Sequence, residues 1–578
     1  MTRSSISVVF AGSGGAGAMT AGAIFLQAAA RSGYYGMMTQ LFGAQVRGGE
    51  AAALVQLSIG PIEAQPDCYD LFVALDWGKI ESFAPEIPLS EKSIVYHAKD
   101  GGAIAPSIAK TKARMIEIEM TDPQMTALER ALRGKRVNIF AAGFVGTLVG
   151  LSEKSLKEAL AASLGRKKAD VVAGNEKALA AGIAAAKRQT ENFLLAEANP
   201  GKRWLITGNQ AIALGTLRGG VRFVACYPIT PATDLVEWLS PVLQKLGGKL
   251  VLGEDELASI NMVLGASFGG TPAMTVTSGP GLSLMIETIG LAVAAEVPAV
   301  LIDVMRGGPS TGIPSKMEQS DINLAVYGGH GDAPRIVIAP MSVADCICTG
   351  EWAVYIAEAH QTPVIVLSDQ LLGQANEVIE LTSKRPAAAT RRTDGGDPKT
   401  FKRYAIGPDP VTPMPRPGTP GFGWVGDGLT HNEIGVPVSS ASVHAAQMKK
   451  RADKIARFEP GELWGECWGN GDTAIVAFGS SLAPAREAAR RLTAAGRPVR
   501  VVGLRVISPA PIAQLKKALA GTKRVVVLEQ NLGAQLYHYL LGLKALPADA
   551  ESIARTGPLP FRPAEIAAHL GHDHVNSS

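Results

Sequence analysis

The stretch Tyr227-Pro228-Ile229-Thr230-Pro231 is the turn on which the predicted fold rests. It follows an apolar run, Val221 to Cys226, which is typical of a buried strand. It precedes Ala232 to Leu239, where an early Thr and Asp and the apolar spacing predict a capped helix. Two prolines stiffen this strand-to-helix turn. In parallel α/β sheets such turns lie where ligands bind, although a proline-rich turn alone is more often only a turn.

The composition is that of a globular protein with several domains. The chain has 578 residues, 47% of them apolar and 19% charged, and a net charge of +4. This length exceeds what one hydrophobic core supports, so about three or four domains are expected. The basic clusters near Lys449-Lys450-Arg451 and Lys167-Lys168 are predicted to be solvated helix faces. The chain has no block of like charge, so its charge pattern does not indicate a nucleic-acid partner.

Cysteine usage and hydropathy restrict the cellular setting. The five cysteines show no CxxC spacing, which indicates a reducing compartment and no disulfide framework. Cys346 and Cys348 are too closely spaced to hold an iron–sulfur cluster without other ligands. The apolar stretch Gly290 to Val304 is interrupted by Glu296, and the N-terminus is glycine-rich rather than signal-like. We therefore expect a cytoplasmic protein without a membrane partner.

Residues 1–190 are predicted to form the first domain. A strand, Ile6 to Phe10, is followed by Gly12-Ser13-Gly14-Gly15-Ala16-Gly17 and an alanine-rich helix. This is the context of a dinucleotide site, which needs an acidic residue about 20 positions further on. The first acidic residue of the chain is Glu50, so a turn that only allows close packing is an equal alternative and a nicotinamide cofactor is disfavoured. Further strands are predicted at Leu71 to Leu75, Ile94-Val95 and Val137 to Phe140.

Residues 203–385 are predicted to form the second domain, in which polar residues follow the strands. Thr230, Ser278 and Arg306 come after three separate strands and are expected at one sheet edge. An arginine at such an edge fits a carboxylate ligand, and pairing with a nearby Asp is the alternative. Glu254-Asp255-Glu256 begins a helix, where each carboxylate is explained either by the helix dipole or by catalysis.

The rest of the chain is divided into a connector and a last domain. Residues 386–464 are predicted to be an extended connector, because Pro386 to Pro420 contains eight prolines. Gly426-Asp427-Gly428 resembles the start of a magnesium–diphosphate motif, but neither the expected buried strand nor the paired Asn accompanies it. Residues 465–578 alternate strands and helices again, so the whole chain is predicted to be α/β.

These motifs, in this order, resemble the alpha chain of the 2-oxoacid:ferredoxin oxidoreductases. The N-terminal glycine loop with Arg47-Gly48-Gly49 resembles the gamma unit of the same family, fused in front. The resemblance implies a multidomain fold with a Rossmann-like gamma domain, a pyrimidine-binding-type domain of thiamine enzymes and a transketolase C-terminal-like domain. Thr430-His431-Asn432-Glu433 departs from the family, which often has Glu before the His. The other matching motifs are Tyr227–Pro231, Glu254–Glu256, Thr277–Gly281, Arg306 with Gly308–Gly312, Gln319 with Asp321, and Glu529 with Asn531 and Gln535.

The resemblance implies thiamine diphosphate chemistry and assigns residues to it. Glu256 matches the Glu that hydrogen-bonds the aminopyrimidine ring and so promotes loss of the thiazolium proton. Ile229 and Ser278 are implied as further cofactor contacts. Thr230 and Arg306 match the residues that bind the substrate carboxylate.

The resemblance also implies an incomplete catalytic site. In the family a separate beta subunit carries the magnesium–diphosphate motif and the [4Fe-4S] cluster and passes electrons to ferredoxin. We therefore expect thiamine diphosphate shared between subunits, no metal in this chain, coenzyme A as co-substrate and an (αβ)2 assembly.

The fused layout and Ser310 to Lys316 look most like the 2-oxoglutarate enzymes, which form succinyl-CoA. A second carboxylate on the substrate needs a second cation, for which Lys316 and Arg47 are the candidates in this chain and lysines of the partner are the alternative. Pyruvate, branched-chain 2-oxo acids, the reductive direction and a non-catalytic scaffold remain alternatives.

Overall fold

The computed structural model describes residues 2–43, 49–99, 101–120, 136–165, 167–191, 193–381 and 385–571. The chain forms two compact units, each assembled from separate stretches of sequence. Unit 1 contains Met1–Ile206, Gln374–Leu381 and Arg562–Glu565, and unit 2 contains the remaining residues. The division into four segments, residues 1–190, 203–385, 386–464 and 465–578, stays a prediction.

Unit 1 is built around one mixed sheet with its helices packed on it. The sheet has the order β6-β5-β4-β1-β3-β2-β14-β7, in which β1, β4, β5 and β6 are parallel, β3 is antiparallel to β1 and β2, and β14 is antiparallel to β2. The elements are β1 (Ser5–Ser13), α1 (Ala18–Arg31), β2 (Tyr35–Phe42), β3 (Glu50–Ser58), β4 (Leu71–Ala74), β5 (Ile94–Ala98), α2 (Pro106–Ala109), β6 (Arg114–Ile118), α3 (Val137–Leu148), α4 (Glu153–Leu164), α5 (Ala169–Ala186), β7 (Arg203–Thr207) and β14 (Asn376–Glu380).

One predicted strand of unit 1 is a helix. Val137 to Phe140 was expected as a strand, but it forms the first turn of α3. The apolar and small residues continue through the whole helix, and nine of its twelve residues are buried. A short apolar run does not distinguish a strand from a helix that is buried on every side, so the local pattern was ambiguous.

Unit 2 contains a seven-stranded and a five-stranded sheet. Its elements are α6 (Gly208–Gly219), β8 (Phe223–Cys226), α7 (Thr233–Lys245), β9 (Lys249–Leu252), α8 (Glu256–Phe268), β10 (Ala273–Thr277), α9 (Gly279–Ala294), β11 (Ala299–Met305), α10 (Ile322–Tyr327), β12 (Ile336–Ile338), α11 (Val343–His360), β13 (Pro363–Asp369), α12 (Gln370–Gln374), α13 (Ala441–Ala456), β15 (Gly465–Trp468), β16 (Thr473–Ala477), α14 (Leu482–Ala494), β17 (Val499–Leu504), β18 (Val506–Ser508), α15 (Ile512–Ala518), β19 (Arg524–Glu529), α16 (Gln535–Gly542), β20 (Glu551–Ala554) and α17 (Pro563–Gly571). The last residue of α12 and the residues of α17 up to Glu565 are counted with unit 1.

The two sheets of unit 2 share one hydrophobic core, and β18, from the C-terminal part of the chain, belongs to the larger sheet. The larger sheet has the order β18-β12-β13-β11-β10-β8-β9 and is parallel except for β18. The smaller sheet has the order β15-β17-β16-β19-β20 and is parallel except for β15. Residues of both sheets, such as Leu301 and Val476, belong to one hydrophobic cluster. The predicted α/β fold class is confirmed, and parallel strands buried on both faces explain the continuous apolar runs.

The connector is part of unit 2 and is packed more closely than its composition suggests. Residues 386–440 contain no helix or strand, and α13 follows them. Arg403, Tyr404 and Met414 of the connector are almost fully buried. The expectation of a solvated basic face at 449–451 is wrong for two of the three residues, because Lys450 and Arg451 are buried. Lys450 pairs with Glu296 beyond the end of α9, which a composition-based argument could not locate.

Candidate active site

The turn Tyr227 to Pro231 lies between β8 and α7, as predicted. The Ile229 carbonyl accepts the Ala232 N–H at 2.8 Å and the Thr233 N–H at 3.0 Å, which closes the turn. The N-cap of α7 is Ala232 and forms no side-chain cap, so the expectation of a Thr or Asp cap is wrong. Backbone hydrogen bonds from within the turn take that place.

Arg306 and Thr230 meet at the edge of the larger sheet. Arg306 is 7% exposed, and its Nη1 donates to the Thr230 carbonyl at 2.5 Å. Its Nη2 donates to the Thr311 carbonyl at 2.9 Å, and its Nε has no partner among the described residues. Burial lowers the pKa of the Arg306 guanidinium, while the charges of Asp321 and Glu256 oppose this shift. The structure therefore brings two of the predicted substrate ligands together, and the Nε–H of the arginine has no partner among the described residues.

The three acidic residues before α8 have different surroundings. Asp255 is the N-cap of the helix and its Oδ1 accepts the Ala258 N–H at 2.7 Å. Glu254 is exposed, whereas Glu256 is buried at 7% exposure. A Cβ placed on Gly281 would stand 2.6 Å from Glu256 Cγ, so the absent side chain of this glycine makes room for Glu256. The helix-dipole explanation fits Asp255, and Glu256 is the carboxyl group that turns inward.

Ser278 is the N-cap residue of α9 but does not use its side chain as a cap. The residue is fully buried and its Oγ has no partner among the described residues. Its carbonyl accepts the N–H groups of Gly281 and Leu282, at 2.9 Å and 3.0 Å. A buried hydroxyl group without a partner is costly and marks a position where a ligand can bond.

Two polar residues of this region were not predicted. Asn209, in the first turn of α6, donates to the Pro231 carbonyl at 3.0 Å, and its buried Oδ1 has no partner among the described residues. Asp303 lies inside the otherwise apolar strand β11 and is fully buried. A single charged residue in a buried strand was the signal for Asp303, whereas nothing in the sequence distinguished Asn209.

The loop after Arg306 is closed by backbone hydrogen bonds and by Glu318. The Gly307 N–H donates to the Lys316 carbonyl at 2.9 Å, and the Gly308 N–H donates to Glu318 Oε2 at 2.9 Å. Lys316 is 8% exposed at the base of this loop. The second cation candidate, Arg47, lies outside the described residues.

Gln319 links this region to the C-terminal part of unit 2. Its Nε2 donates to the Phe478 carbonyl at 3.0 Å, and its Oε1 accepts the Ser481 hydroxyl at 2.7 Å. Asn531 Nδ2 donates to the Gln319 carbonyl at 3.0 Å and to Glu529 Oε2 at 2.6 Å. The motif residues Gln319, Glu529 and Asn531 thus form one buried network.

The N-terminal glycine loop already has an acidic partner. The Ser13 N–H and hydroxyl group both donate to Asp76, with a hydroxyl-to-Oδ1 distance of 2.7 Å. The Gly78 N–H donates to the same carboxylate at 3.0 Å. A carboxylate at this loop repels a pyrophosphate, so the structure favours the close-packing explanation of Gly12 to Gly17.

Among the described residues, no group of three or more His, Cys, Asp and Glu side chains has the arrangement of a metal site. None of the described helices is long and apolar enough to cross a membrane.

Three models of known protein families match successive stretches of the chain. Residues 214–450 match the family model described as pyruvate flavodoxin/ferredoxin oxidoreductase, thiamine diphosphate-binding. Residues 7–185 match the model described as pyruvate ferredoxin/flavodoxin oxidoreductase, and residues 466–574 match the transketolase C-terminal domain.

Curated relatives and a solved structure agree with these matches. The 2-oxoglutarate synthase subunit KorA of Methanothermobacter marburgensis is 33% identical over 371 residues, covering 63% of this chain and 97% of the relative. The 2-oxoacid:ferredoxin oxidoreductase subunit alpha of Saccharolobus solfataricus is 29% identical over 616 residues, covering 94% and 95%. The structure of 2-oxoglutarate:ferredoxin oxidoreductase from Magnetococcus marinus, with 2-oxoglutarate, coenzyme A and succinyl-CoA bound, is 35% identical, with a TM-score of 0.89 and coverage of 98% and 99%.

The fold and the matched domains define an oxidoreductase chain with a thiamine diphosphate-binding domain. The chain belongs to the 2-oxoacid:ferredoxin oxidoreductase family, and the resemblance seen in its motifs is confirmed.

Proposed function

We propose that this chain is the alpha-type subunit, with a fused gamma-type domain, of a 2-oxoglutarate:ferredoxin oxidoreductase. The reaction converts 2-oxoglutarate and coenzyme A to succinyl-CoA and CO2 and passes two electrons to ferredoxin. The observation that carries the proposal is the meeting of Arg306 with Thr230, in the electrostatic range of the buried Glu256. Relatives that share this architecture are named for 2-oxoglutarate.

The residues present fit thiamine diphosphate. Glu256 is held in a dry position beside Gly281, the buried Ser278 hydroxyl group has a free bonding capacity, and Ile229 lies in the adjoining turn. When bound, thiamine diphosphate supplies the electron sink for decarboxylation. Glu256 would hydrogen-bond the aminopyrimidine ring and so promote loss of the thiazolium proton. Its role is that of a catalytic residue.

The substrate carboxylate next to the keto group would bind at Arg306 and Thr230. The Nε–H of Arg306 is available for this purpose, while one N–H of each Nη atom holds the Thr230 or the Thr311 carbonyl. This arrangement fixes the direction of the guanidinium before the substrate arrives, which is a positioning contribution. Lys316 and Arg47 are the proposed partners of the distal carboxylate.

The active enzyme would need a second chain. We assign the magnesium–diphosphate motif and the [4Fe-4S] cluster to a beta subunit, which reduces ferredoxin, and we expect an (αβ)2 assembly in the cytoplasm. Relatives named as subunits support the need for further chains. The same surroundings would suit the reductive direction, from succinyl-CoA and CO2.

The test is co-purification with a beta subunit, followed by reduction of methyl viologen in the presence of coenzyme A. The rates with 2-oxoglutarate, pyruvate and 2-oxoisovalerate are compared for the complex and for this chain alone. Activity only in the complex and highest with 2-oxoglutarate is the expected result. A preference for another acid would refute 2-oxoglutarate as the substrate. A complex that is loaded with cofactor but inactive with all three acids would identify this chain as a non-catalytic scaffold.

A further inference from the structure

The side chain of Asn209 joins helix α6 to the turn that precedes α7. Its Nδ2 donates to the Pro231 carbonyl at 3.0 Å, and the residue is fully buried. Its Oδ1 is also buried and has no hydrogen-bond partner among the described residues. A buried amide oxygen in this state is costly, and an apolar side chain of the same size would avoid the cost. The bond to the Pro231 carbonyl is therefore what the polar side chain contributes at this position.

The surroundings of Asn209 hold its side chain in place. Thr207 and Gln210 form a capping box, in which each side chain accepts a backbone N–H of the other, and this box fixes the first turn of α6. Gly373 makes room for the amide, since a Cβ placed on it would stand 2.6 Å from Asn209 Oδ1. Asn209 therefore gives the Pro231 carbonyl a rigid support.

The carbonyl that precedes this one in the chain holds Arg306. Thr230 is followed directly by Pro231, and the Thr230 carbonyl accepts Arg306 Nη1 at 2.5 Å. The proline ring fixes φ and the peptide bond is planar, so ψ of Pro231 is the one soft torsion between the two carbonyls. A shift of the Pro231 carbonyl is therefore passed on to the Thr230 carbonyl.

The two carbonyls that bind Arg306 are supported in different ways. The loop that carries Thr311 is closed at its base by backbone hydrogen bonds, one of which runs from the Gly307 N–H to the Lys316 carbonyl at 2.9 Å. The turn that carries Thr230 contains two prolines, which have no N–H group to donate. A side chain of α6 thus supports the turn where backbone donors are missing.

We propose that Asn209 is a positioning residue for Arg306. By holding the Pro231 carbonyl it fixes the Thr230 carbonyl, which directs the guanidinium toward the carboxylate of the substrate. The proposal rests on the proposed function of Arg306 as a substrate ligand. It applies to every 2-oxo acid, because the carboxylate concerned is the one next to the keto group. Asn209 acts through the turn and not by contact with the substrate.

Loss of this support should weaken binding of the acid and leave the later steps unchanged. In Asn209→Ala the turn gains freedom, so the guanidinium of Arg306 is no longer held in the one orientation that suits a carboxylate. KM for the 2-oxo acid should rise by about threefold to tenfold, the effect of one lost hydrogen bond. Both kcat and KM for coenzyme A should stay the same, because the interaction acts on binding of the acid alone.

The experiment is a double-mutant cycle in the complex with the beta subunit. The value of kcat/KM is measured, with the 2-oxo acid that the complex uses best, for Asn209→Ala, Arg306→Met and the double variant. Because Asn209 acts through Arg306, its substitution should have less than about a twofold effect once Arg306 is replaced. Asn175→Ala is the control, since this buried residue of α5 donates to the Val171 carbonyl within its own helix, and kcat/KM should not change.

The melting temperature distinguishes positioning from a purely structural role. Asn209→Leu replaces the amide by an apolar group of similar size and removes the unpaired Oδ1 together with the donor. Its melting temperature should therefore stay close to that of the unsubstituted complex, while KM for the acid rises as in Asn209→Ala. A lower melting temperature with an unchanged KM would overturn the proposal.

The remaining outcomes separate the role of Asn209 from that of Arg306. Single effects that multiply in the double variant overturn the positioning role, and so does failure of both Asn209 variants to form the complex, which would assign the residue to folding. A raised KM in Arg306→Met without any effect of Asn209→Ala refutes the positioning role alone. An unchanged KM in Arg306→Met refutes the assignment of Arg306 to the substrate, and the proposal with it.

Discussion

The buried carboxyl group of Glu256 is the side chain whose loss should affect turnover most. Glu256→Gln keeps the size and most of the packing but removes the acid–base function, so kcat should fall by about 10²–10⁴-fold. The measurement is methyl viologen reduction at saturating 2-oxoglutarate and coenzyme A. Glu254→Gln, two residues earlier and exposed, should keep full activity. Equal activity of the two variants would show that Glu256 has no catalytic role.

Lys316 should decide between substrates with one and with two carboxylates. Lys316→Met removes a charge-assisted hydrogen bond to the distal carboxylate, which contributes about 1.5–3 kcal/mol, so KM for 2-oxoglutarate should rise by about tenfold or more. KM for pyruvate should stay the same, because pyruvate has no distal carboxylate. The ratio of the two values of kcat/KM is the measurement, and Arg47→Met is the parallel variant. An unchanged ratio in both variants would leave the recognition of the distal group to the partner subunit.

Single residues were predictable from the sequence where a motif carried them. Thr230 and Arg306 were expected at one edge and do meet, because parallel strands end at the same side of a sheet. Burial was the missing information for the acidic cluster: three adjacent carboxylates look alike in sequence, yet only Glu256 points into the protein. Asp303 was overlooked because no motif carried it, although it is the single charged residue of an otherwise apolar strand.

At the scale of elements, helix α9 has different tasks at its two ends. Its first residues, from Gly279, lie at the candidate site beside Ser278. At its other end, the carbonyl of the last residue, Ala294, accepts Arg451 Nη2 at 3.0 Å, and the Glu296 carbonyl just beyond accepts Arg403 Nη2 at 2.7 Å. Cations at the carboxyl end of a helix are favourable for the helix dipole, so the connector holds the helix that presents Ser278.

Two glycines of α9 allow a matched test of the fit at its amino end. In Gly281→Ala the new Cβ would stand 2.1 Å from Thr277 Oγ1 and 2.6 Å from Glu256 Cγ, so Glu256 must move. We expect the affinity for thiamine diphosphate to fall by at least about tenfold, the equivalent of about 1.4 kcal/mol. Gly290→Ala meets no atom within 4 Å and should raise helix stability by about 1 kcal/mol without affecting the cofactor. Cofactor titration of both variants is the measurement, and equal affinities would contradict the proposed fit.

Helices and strands were predictable where the hydrophobic period and the length of the apolar run indicated the same type of element. The strands of the larger sheet that precede Thr230, Ser278 and Arg306 were predicted close to their observed positions, whereas β12, β13 and β18 were not predicted. The first residues of α3 were mistaken for a strand because an all-round buried helix shows no amphipathic period. The cap of α7 was misplaced because the hydrogen bonds of the turn come from its backbone.

At the scale of the whole molecule, Glu296 should control acid stability. Lys450 Nζ and Lys454 Nζ lie 2.6 Å and 2.5 Å from its two carboxylate oxygens, and all three side chains are buried. Burial alone would raise the pKa of Glu296, but Lys454, Lys450 and Arg403 outweigh it and hold the pKa well below its ordinary value of 4.5. A depressed pKa in the folded state contributes stability that is present above pH 4.5 and is lost as the pH falls further.

Removal of this carboxylate leaves two buried lysines without their ionised partner. Glu296→Gln should therefore destabilise unit 2 by about 3–5 kcal/mol at pH 7. Urea unfolding at pH 7 and at pH 4 is the measurement, and the acid-dependent loss of stability should be smaller in the variant. Lys449→Gln, in the exposed pair with Asp453, is the control and should change the stability by no more than about 1 kcal/mol. Similar stabilities for the two variants would contradict the role of the buried cluster.

The arrangement of the whole chain was the least predictable part. The order of domains followed from the motifs, but the sequence did not show that basic residues of α13 would be buried against Glu296. A polar, proline-rich segment is typical of a free linker, and only its distant partners reveal that this one is packed. The buried network around Gln319 likewise joins residues that are more than 150 positions apart.

The short strand β18 has a consequence for how this gene can be divided. Its residues Val506–Ser508 come from the C-terminal third of the chain but complete the edge of the larger sheet, antiparallel to Ile336–Ile338. If the chain were divided into two polypeptides at the connector, β12 in one and β18 in the other would each lose their pairing partner. Exposed, unpaired strand edges promote aggregation. A gene divided at this point would therefore give a folded protein only if both polypeptides are produced together.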